Sequence, residues 1–336
     1  MPMASLLLLL LLVLLIIPLS VLLALRLLVR PRTINIPIRG RHVFISGGSS
    51  GIGLSLAHQA ASAGASRVTI LARSVAKLED ARDSIRRATG ADISAFSADV
   101  RDFDAVKKAV DAAGPVDVLI CNHGVFAAQD FETQDLEVAK FMVDVNLMGT
   151  LNLIKAALPT MRRSRPQRGP GSIAIMSSQA GQVGLHGLAA YSASKFGLRG
   201  LGEALQQELI EYGIHVSLIF PPDTETPGLV EEKKRRPEVT SILVGYSSAM
   251  QADDVARKTL NGIKSGTFTI PCNLDGLMLA IATAGLSPQR SFLIAFVEVI
   301  LAGLMRLVGL CYLWTWYNLI ERWHAKQEQS QLKWNV

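Results

Sequence analysis

Paired cysteines, N-glycosylation sequons and clusters of metal-ligating residues are all missing from this sequence. Cys121, Cys272 and Cys311 lie far apart, without the spacing of a disulfide framework or a zinc site, so a reducing compartment is the simpler expectation. No Asn-x-Ser/Thr triplet occurs, which agrees with a body kept out of the secretory lumen. His58, His123, His186 and His215 show no ligand spacing and no acidic cluster accompanies them, so no metal is expected. No positive charge precedes the aliphatic run Leu6 to Leu25, and no small-residue cleavage site is evident. That run is about as long as the ~20 residues a bilayer-spanning helix needs, so it reads as an anchor rather than a cleaved export signal.

What charge there is has an uneven distribution. The net charge of +6 does not point to nucleic acid, because the positive residues flank apolar ends: Arg26, Arg30, Arg32, Arg39 and Arg41, then Arg322, His324 and Lys326. Such flanks suit anionic lipid headgroups. With all five arginines after the first apolar run, the positive-inside rule predicts an N-terminus away from the cytosol and a body within it. Mean hydropathy is +0.31, high for a soluble enzyme, and the excess sits at the two ends. The second apolar stretch, Phe292 to Ile320, is interrupted only by Glu298 and Arg306 and bordered by Trp314, Trp316, Tyr317 and Trp323, residues that favour a membrane interface. A second span, a re-entrant or surface-lying helix pair, and a buried soluble helix all remain open for it. The expected division is an anchor over 1–30, a catalytic domain over 38–270 and an apolar membrane-associated extension over 271–336.

Between the ends, short β-branched runs alternate with longer helical patterns, which predicts a parallel sheet covered by helices on both faces. Strands are expected at His42 to Ser46, Arg67 to Ala72, Ile93 to Asp99, Val116 to Asn122, Ser172 to Ser178 and His215 to Pro221, with a seventh at Thr267 to Ile270. Helices should begin near Gly51, Ser74, Asp102, Gln134, Leu188 and Gln251. Arg162 to Gly171 reads as a basic connection, and Pro221 to Arg236 as a charged loop long enough to close over a ligand. No internal repeat is visible.

Three constellations carry chemistry. The first strand runs into Ser46-Gly47-Gly48-Ser49-Ser50-Gly51-Ile52-Gly53 and then a helix. Glycines at Gly47, Gly51 and Gly53 let backbone approach a pyrophosphate at the helix N-terminus, while Ser49 and Ser50 add hydroxyls. After the second strand, Arg73 and Lys77 stand where an NAD-selective site would place an acid for the ribose, so a 2'-phosphate and hence NADPH is expected. Finally, Tyr191 and Lys195 fall at i and i+4 of one helix, a spacing at which the ammonium is expected to favour the phenolate and lower the tyrosine pKa. Ser178 precedes Tyr191 by thirteen residues, at the predicted carboxyl edge of the sheet. Asp99 could reach an adenine or simply cap the next turn.

Taken with Asn122-x-Gly124 and Asn146, these motifs resemble the short-chain dehydrogenase/reductase family over residues 40–270. The resemblance implies an α/β Rossmann-type doubly wound parallel sheet carrying an N-terminal transmembrane helix and an apolar C-terminal extension. It further implies cofactor binding by Gly47, Ser49, Ser50, Gly51, Gly53, Arg73, Lys77, Asp99 and Asn122 together with Tyr191 and Lys195, and catalysis by Asn146, Ser178, Tyr191 and Lys195, Asn146 positioning a water. The blocks around Ser177 to Gln182, Ala190 to Phe196 and Pro221 to Gly228 resemble a membrane-bound branch that reduces a long-chain ketone in sphingolipid synthesis. That branch implies an endoplasmic reticulum membrane, a cytosolic catalytic face, and as partners a lipid ketone, the bilayer, a second copy of the chain or other enzymes of sphingolipid synthesis. A microsomal steroid or retinoid reductase and a silent NADPH-binding scaffold are the alternatives. Ser46 for the usual threonine and His123 for the usual alanine are the departures, the latter putting the packing of its turn in question.

Overall fold

In this computed structural model, which describes residues 3–29, 34–245 and 249–334, the chain opens with helix α1 (Met3–Leu28). Arg30 and Arg32 of the expected cationic flank lie outside the described residues. Three strand-helix units follow: β1 (His42–Ser46), α2 (Gly51–Ser62), β2 (Arg67–Ala72), α3 (Val75–Thr89), β3 (Ile93–Ser97) and α4 (Phe103–Ala113). Next come β4 (Val118–Cys121), α5 (Leu136–Val143), α6 (Gly149–Arg168), β5 (Gly171–Met176), α7 (Ala189–Leu209) and β6 (Ile214–Phe220). Short elements β7 (Thr224–Glu225), α8 (Pro227–Lys233), α9 (Glu238–Val244) and β8 (Met250–Gln251) lead to α10 (Ala252–Lys264) and β9 (Thr269–Pro271). The chain closes with α11 (Leu274–Ala282) and α12 (Phe292–Trp334).

The seven-stranded sheet has the order β3-β2-β1-β4-β5-β6-β9 and is parallel throughout. Its central strands are buried on both faces, as β1 with the sequence HVFIS and β6 with IHVSLIF show. One core packs Leu119, Ile173 and Leu218 under α4, α6 and α7, and the other packs Ile45, Ile70 and Ile120 under α2, α3 and α10. The order reverses between β1 and β4, and such a switch point opens a crevice at the carboxyl ends of the strands.

Several predicted strands end early. β3 stops at Ser97 rather than Asp99, β4 covers Val118–Cys121 rather than reaching Asn122, β5 stops at Met176 rather than Ser178, and β6 at Phe220. In each case the end residues, polar in all but Pro221, leave the ladder and line the crevice, so the mismatch marks the site. The last strand is Thr269–Pro271, two residues later than its expected start. Arg162 to Gly171 is not an open connection: α6 continues to Arg168 through Pro159 and Pro166. Tertiary contacts override the local signal there.

Those contacts centre on Asp117, whose side chain is fully buried. It accepts hydrogen bonds from the His42 backbone N–H (3.0 Å), from Arg165 Nη2 (2.8 Å) and from Arg168 Nε (2.7 Å), with Arg41 Nη1 at 3.7 Å. Burial alone would raise this carboxyl, but the bonds from Arg168, His42 and Arg165 outweigh it and hold the pKa at about 2. The cluster binds the amino edge of β1 and β4 to the end of α6, opposite the crevice.

At the other pole, α12 is one uninterrupted helix of 43 residues packed on α1 and α11. Of its most apolar window only 6% is buried, against 50% for the helical stretch Leu136–Arg168, so the buried-helix alternative does not hold. The chain meets the catalytic body on either side of the apolar part of α12: just before the helix Arg290 Nη2 bonds His215 Nδ1 of β6 at 3.0 Å, and in its last third Trp323 Nε1 donates to Glu238 Oε2 of α9 at 3.2 Å.

Removing Asp117 strands buried guanidinium charge. Asp117→Ala should therefore lower unfolding free energy by about 3–5 kcal/mol, read by urea denaturation, and Asp117→Asn by less.

Candidate active site

The turn after β1 is built for close approach. Gly47 has φ +66°, and a Cβ on Gly53 would lie 2.1 Å from the Gly47 carbonyl oxygen, so only glycine lets α2 start against the turn. Asn122 braces it, donating from its backbone N–H to Ser46 Oγ (3.1 Å) and from Nδ2 to the Gly47 oxygen (3.4 Å). Ser50 is the N-cap of α2 but makes no side-chain capping bond, and Gly47, Ser49, Ser50 and Gly51 line a cavity of about 1180 Å³. Arg73 and Lys77 line it at the end of β2, where Ser74 caps α3 by accepting from the Lys77 N–H at 3.4 Å. Asp99 also lines it. Its carboxylate takes Arg101 Nη2 at 2.7 Å, a bond that pulls its pKa below the usual range. Backbone donors at a helix N-terminus beside two cations fit a dinucleotide phosphate chain.

The second cluster lies across β4 and β5. Ser178 follows β5 and opens a 3₁₀ turn, accepting from the Ala180 N–H at 3.2 Å, and its hydroxyl faces the Tyr191 phenol and acts to lower the phenol's pKa. Lys195, only 4% exposed, donates from Nζ to the Met176 carbonyl at 3.0 Å and stands 5.7 Å from the centre of the Tyr191 ring. Burial lowers the lysine to about 8. It pushes the phenol up to about 12, the Ser178 hydroxyl opposing and the Asp223 and Glu232 charges reinforcing. The expected lowering of Tyr191 by Lys195 is thus not what the geometry gives, because desolvation dominates and the ammonium is aimed at a carbonyl. A phenol that keeps its proton is a general acid.

Asn146 lies outside the cavity wall. It sits in a π turn, Asp144–Met148, joining α5 to α6, a local widening often found at functional sites. Its Oδ1 accepts from the Val125 N–H (2.8 Å), and its Nδ2 donates to the Val125 oxygen and to Ser194 Oγ, both at 3.0 Å. The amide therefore clamps the loop after β4 to α7. His123 answers the question of its turn: it is buried, Nδ1 bonds Ser46 Oγ at 2.6 Å and Nε2 faces Thr150 Oγ1 at 3.4 Å. Burial keeps this ring neutral, with its pKa pushed to about 3. The two departures are one adjustment, the smaller Ser46 making room for the larger His123.

Every other predicted site residue except Gly53 lines the same cavity. The wall also holds residues that sequence reading did not mark. Phe126 packs on Tyr191 with ring centres 4.4 Å apart, and Asp223 and Thr226 come from the loop expected to close over a ligand, which here folds into β7 and α8. Beyond them the cavity runs between α11 and α12, past Met278, Leu279, Met305, Tyr312 and Trp316. Gln179 Nε2 donates to Asn273 Oδ1 (2.7 Å) at the cap of α11, and Arg199 of α7 donates to Ser287 Oγ (2.8 Å) just beyond it, so the apolar end is tied to the catalytic helix.

A family model described as short chain dehydrogenase matches residues 41–237. The 3-dehydrosphinganine reductase TSC10A of Arabidopsis thaliana is 60% identical over 297 residues, covering 88% of this chain and 90% of that protein. TSC10B of the same plant, also a 3-dehydrosphinganine reductase, is 55% identical over 311 residues, with 93% of each chain covered. Among solved structures, actinorhodin polyketide ketoreductase with NADPH superposes with a TM-score of 0.63 at 27% identity, over 69% of this chain and 95% of that one.

The Ser46 and His123 pairing is testable by a double-mutant cycle. His123→Ala should cost about 1–3 kcal/mol of stability by removing a buried ring and its bond to Ser46 Oγ, and adding Ser46→Thr should restore part of it in thermal denaturation by returning a methyl to the space the ring leaves.

Proposed function

We propose that this chain, which belongs to the short-chain dehydrogenase family, is a 3-dehydrosphinganine reductase that converts the C3 ketone of a long-chain sphingoid base to the alcohol at a membrane. The observation that carries this is one continuous cavity, with a dinucleotide cradle at one end, Ser178, Tyr191 and Lys195 in the middle and an apolar passage between α11 and α12 at the other. A steroid-sized substrate gives no reason for that last section, whereas an alkyl tail gains about 0.8 kcal/mol for each methylene it buries there.

A nicotinamide cofactor supplies the hydride when bound. The chain's own residues do the rest. Ser178 holds the carbonyl oxygen and Tyr191, kept neutral by burial, gives it the proton as charge develops. Lys195 lies one helical turn below, and its positive charge favours the phenolate left behind. The preferred cofactor is NADPH, supported by Arg73 and Lys77 at the ribose end and by the lack of an acid at that point. Asn146 acts here by positioning, since its amide is taken up by Val125 and Ser194.

Helices α1 and α12 associate the chain with a membrane. We place the anchor at 1–30, the catalytic domain at 38–270 with its face in the cytosol, and the extension at 271–336 on the endoplasmic reticulum. Helix α12, about 65 Å long at 1.5 Å per residue, is better suited to lying in the interface than to crossing it, because the body holds it both just before its start and at Trp323.

The test is turnover of 3-ketodihydrosphingosine with NADPH by the purified protein, with the sphingoid product identified. Tyr191→Phe should bind NADPH and lose at least about a hundredfold in turnover, the range of a lost general acid. In the wild type, reduction should slow as pH rises through about 8, where Lys195 gives up its charge. Arg73→Ala should raise KM for NADPH about tenfold or more and leave KM for NADH nearly unchanged, since only the former carries the extra phosphate.

A further inference from the structure

The substrate of the proposed reaction brings a second polar group to the centre of the cavity. A 3-keto sphingoid base has a protonated amine on the carbon beside its ketone, and burying that cation without a counter-charge is strongly unfavourable. The wall near Tyr191 offers one. Arg236, 5% exposed, donates from Nη1 to Asp223 Oδ2 at 2.8 Å and from Nε to both carboxylate oxygens of Glu232 at 2.9 Å. Two carboxylates against one guanidinium leave a net negative charge. Glu232 is 3% exposed and lies behind the wall, whereas Asp223 is 22% exposed and lines the cavity.

The surplus charge is close to the reacting centre and held in place. The Arg236 guanidinium lies 5.7 Å from the centre of the Phe126 ring, itself packed on Tyr191. Asp223 follows Pro221-Pro222, and its carbonyl accepts the Met250 N–H at 2.9 Å beside the short β7–β8 pair. The cavity's other cations stand elsewhere: Lys195 on the Met176 carbonyl, Arg306 on α12, and Arg73 and Lys77 at the cofactor end. A substrate whose ketone oxygen meets Ser178 and Tyr191 and whose tail runs toward α12 turns its amine to the remaining wall.

We propose that Asp223, backed by Arg236 and Glu232, receives the ammonium group of the substrate and makes the site selective for α-amino ketones over plain ketones of the same length. This rests on the reductase reading above. A purely structural triad would pin the loop and show no preference for an amine.

The experiment compares kcat/KM, at saturating NADPH, for 3-ketodihydrosphingosine and for the same ketone lacking only the amine, in wild type and in Asp223→Asn and Asp223→Glu. The wild type should prefer the amino ketone by about tenfold to a hundredfold, the range of a hydrogen bond between charged groups. Asp223→Asn should bring that ratio to within about twofold of unity, mainly through KM for the amino ketone, and Asp223→Glu should retain most of it. Equal loss on both ketones in Asp223→Asn, or an unchanged ratio, would overturn the assignment. So would a wild type with no preference, a result that needs no folded variant. A wild type that reduces neither ketone, or only the one without the amine, would overturn the reductase reading and this inference with it.

Discussion

A buried ammonium held by one main-chain oxygen, Lys195 Nζ on the Met176 carbonyl, is the contact on which the site depends. It forces α7 across the carboxyl end of β5, and everything local to it follows. Ser177 Oγ bonds the Lys195 carbonyl at 3.0 Å, and a Cβ on Gly181 would lie 2.4 Å from that hydroxyl and 2.9 Å from that carbonyl, so the 3₁₀ turn after Ser178 needs glycine to fit. Ser194, next to Lys195, receives the Asn146 amide and so fixes the loop after β4. Tyr191, one turn earlier, meets Ser178 and Phe126. Arg199, one turn later, reaches the segment after α11 and carries the same helix's placement out to the apolar extension. One helix sets both the reacting centre and the apolar end of the cavity.

Along the cavity the chemistry changes in an order that matches a nucleotide cofactor and a long amphiphile lying end to end. Cations and backbone donors occupy the phosphate end, and hydroxyl donors the middle. The Asp223 carboxylate follows, backed by Glu232, and then the methionine and aromatic lining of α11 and α12. Each zone disfavours the other ligand's far end. A phosphate would be repelled by Asp223 and Glu232, and an alkyl chain gains nothing beside Arg73 and Lys77.

Much of this was legible in the sequence where function rests on local spacing. The glycine turn, the i and i+4 placement of Tyr191 and Lys195, and the N-caps at Ser74 and Asp102 each need only one element to be recognised. What stayed hidden depends on contacts made at long range. Arg165 reads as a surface cation until Asp117, forty-eight positions away, is found to bury it, and that burial carries α6 through two prolines. The two-residue strands β7 and β8 have no period to detect, so their loop could be marked as a lid but not given its shape. His123 looked like a flaw in its motif because its compensation is Ser46, on another strand.

The tyrosine shows the same limit in electrostatic terms. Spacing alone puts a cation near the phenol and suggests a phenolate, yet the field at a group depends on everything that surrounds it. Around Tyr191 the protein removes water, adds the charges of Asp223 and Glu232, and turns the ammonium toward a carbonyl. The first two favour the neutral phenol, and the third weakens the lysine's opposing pull. For a reductase this is the useful state, since hydride arriving at the ketone carbon creates an oxyanion that must be protonated in place, and a phenol ionised beforehand would have no proton to give. The same lysine, lowered to about 8 by its own burial, stays mostly charged below that pH and can hold the phenolate after transfer. A single desolvated environment thus loads the acid before the step and, through the nearby ammonium, stabilises its conjugate base afterwards.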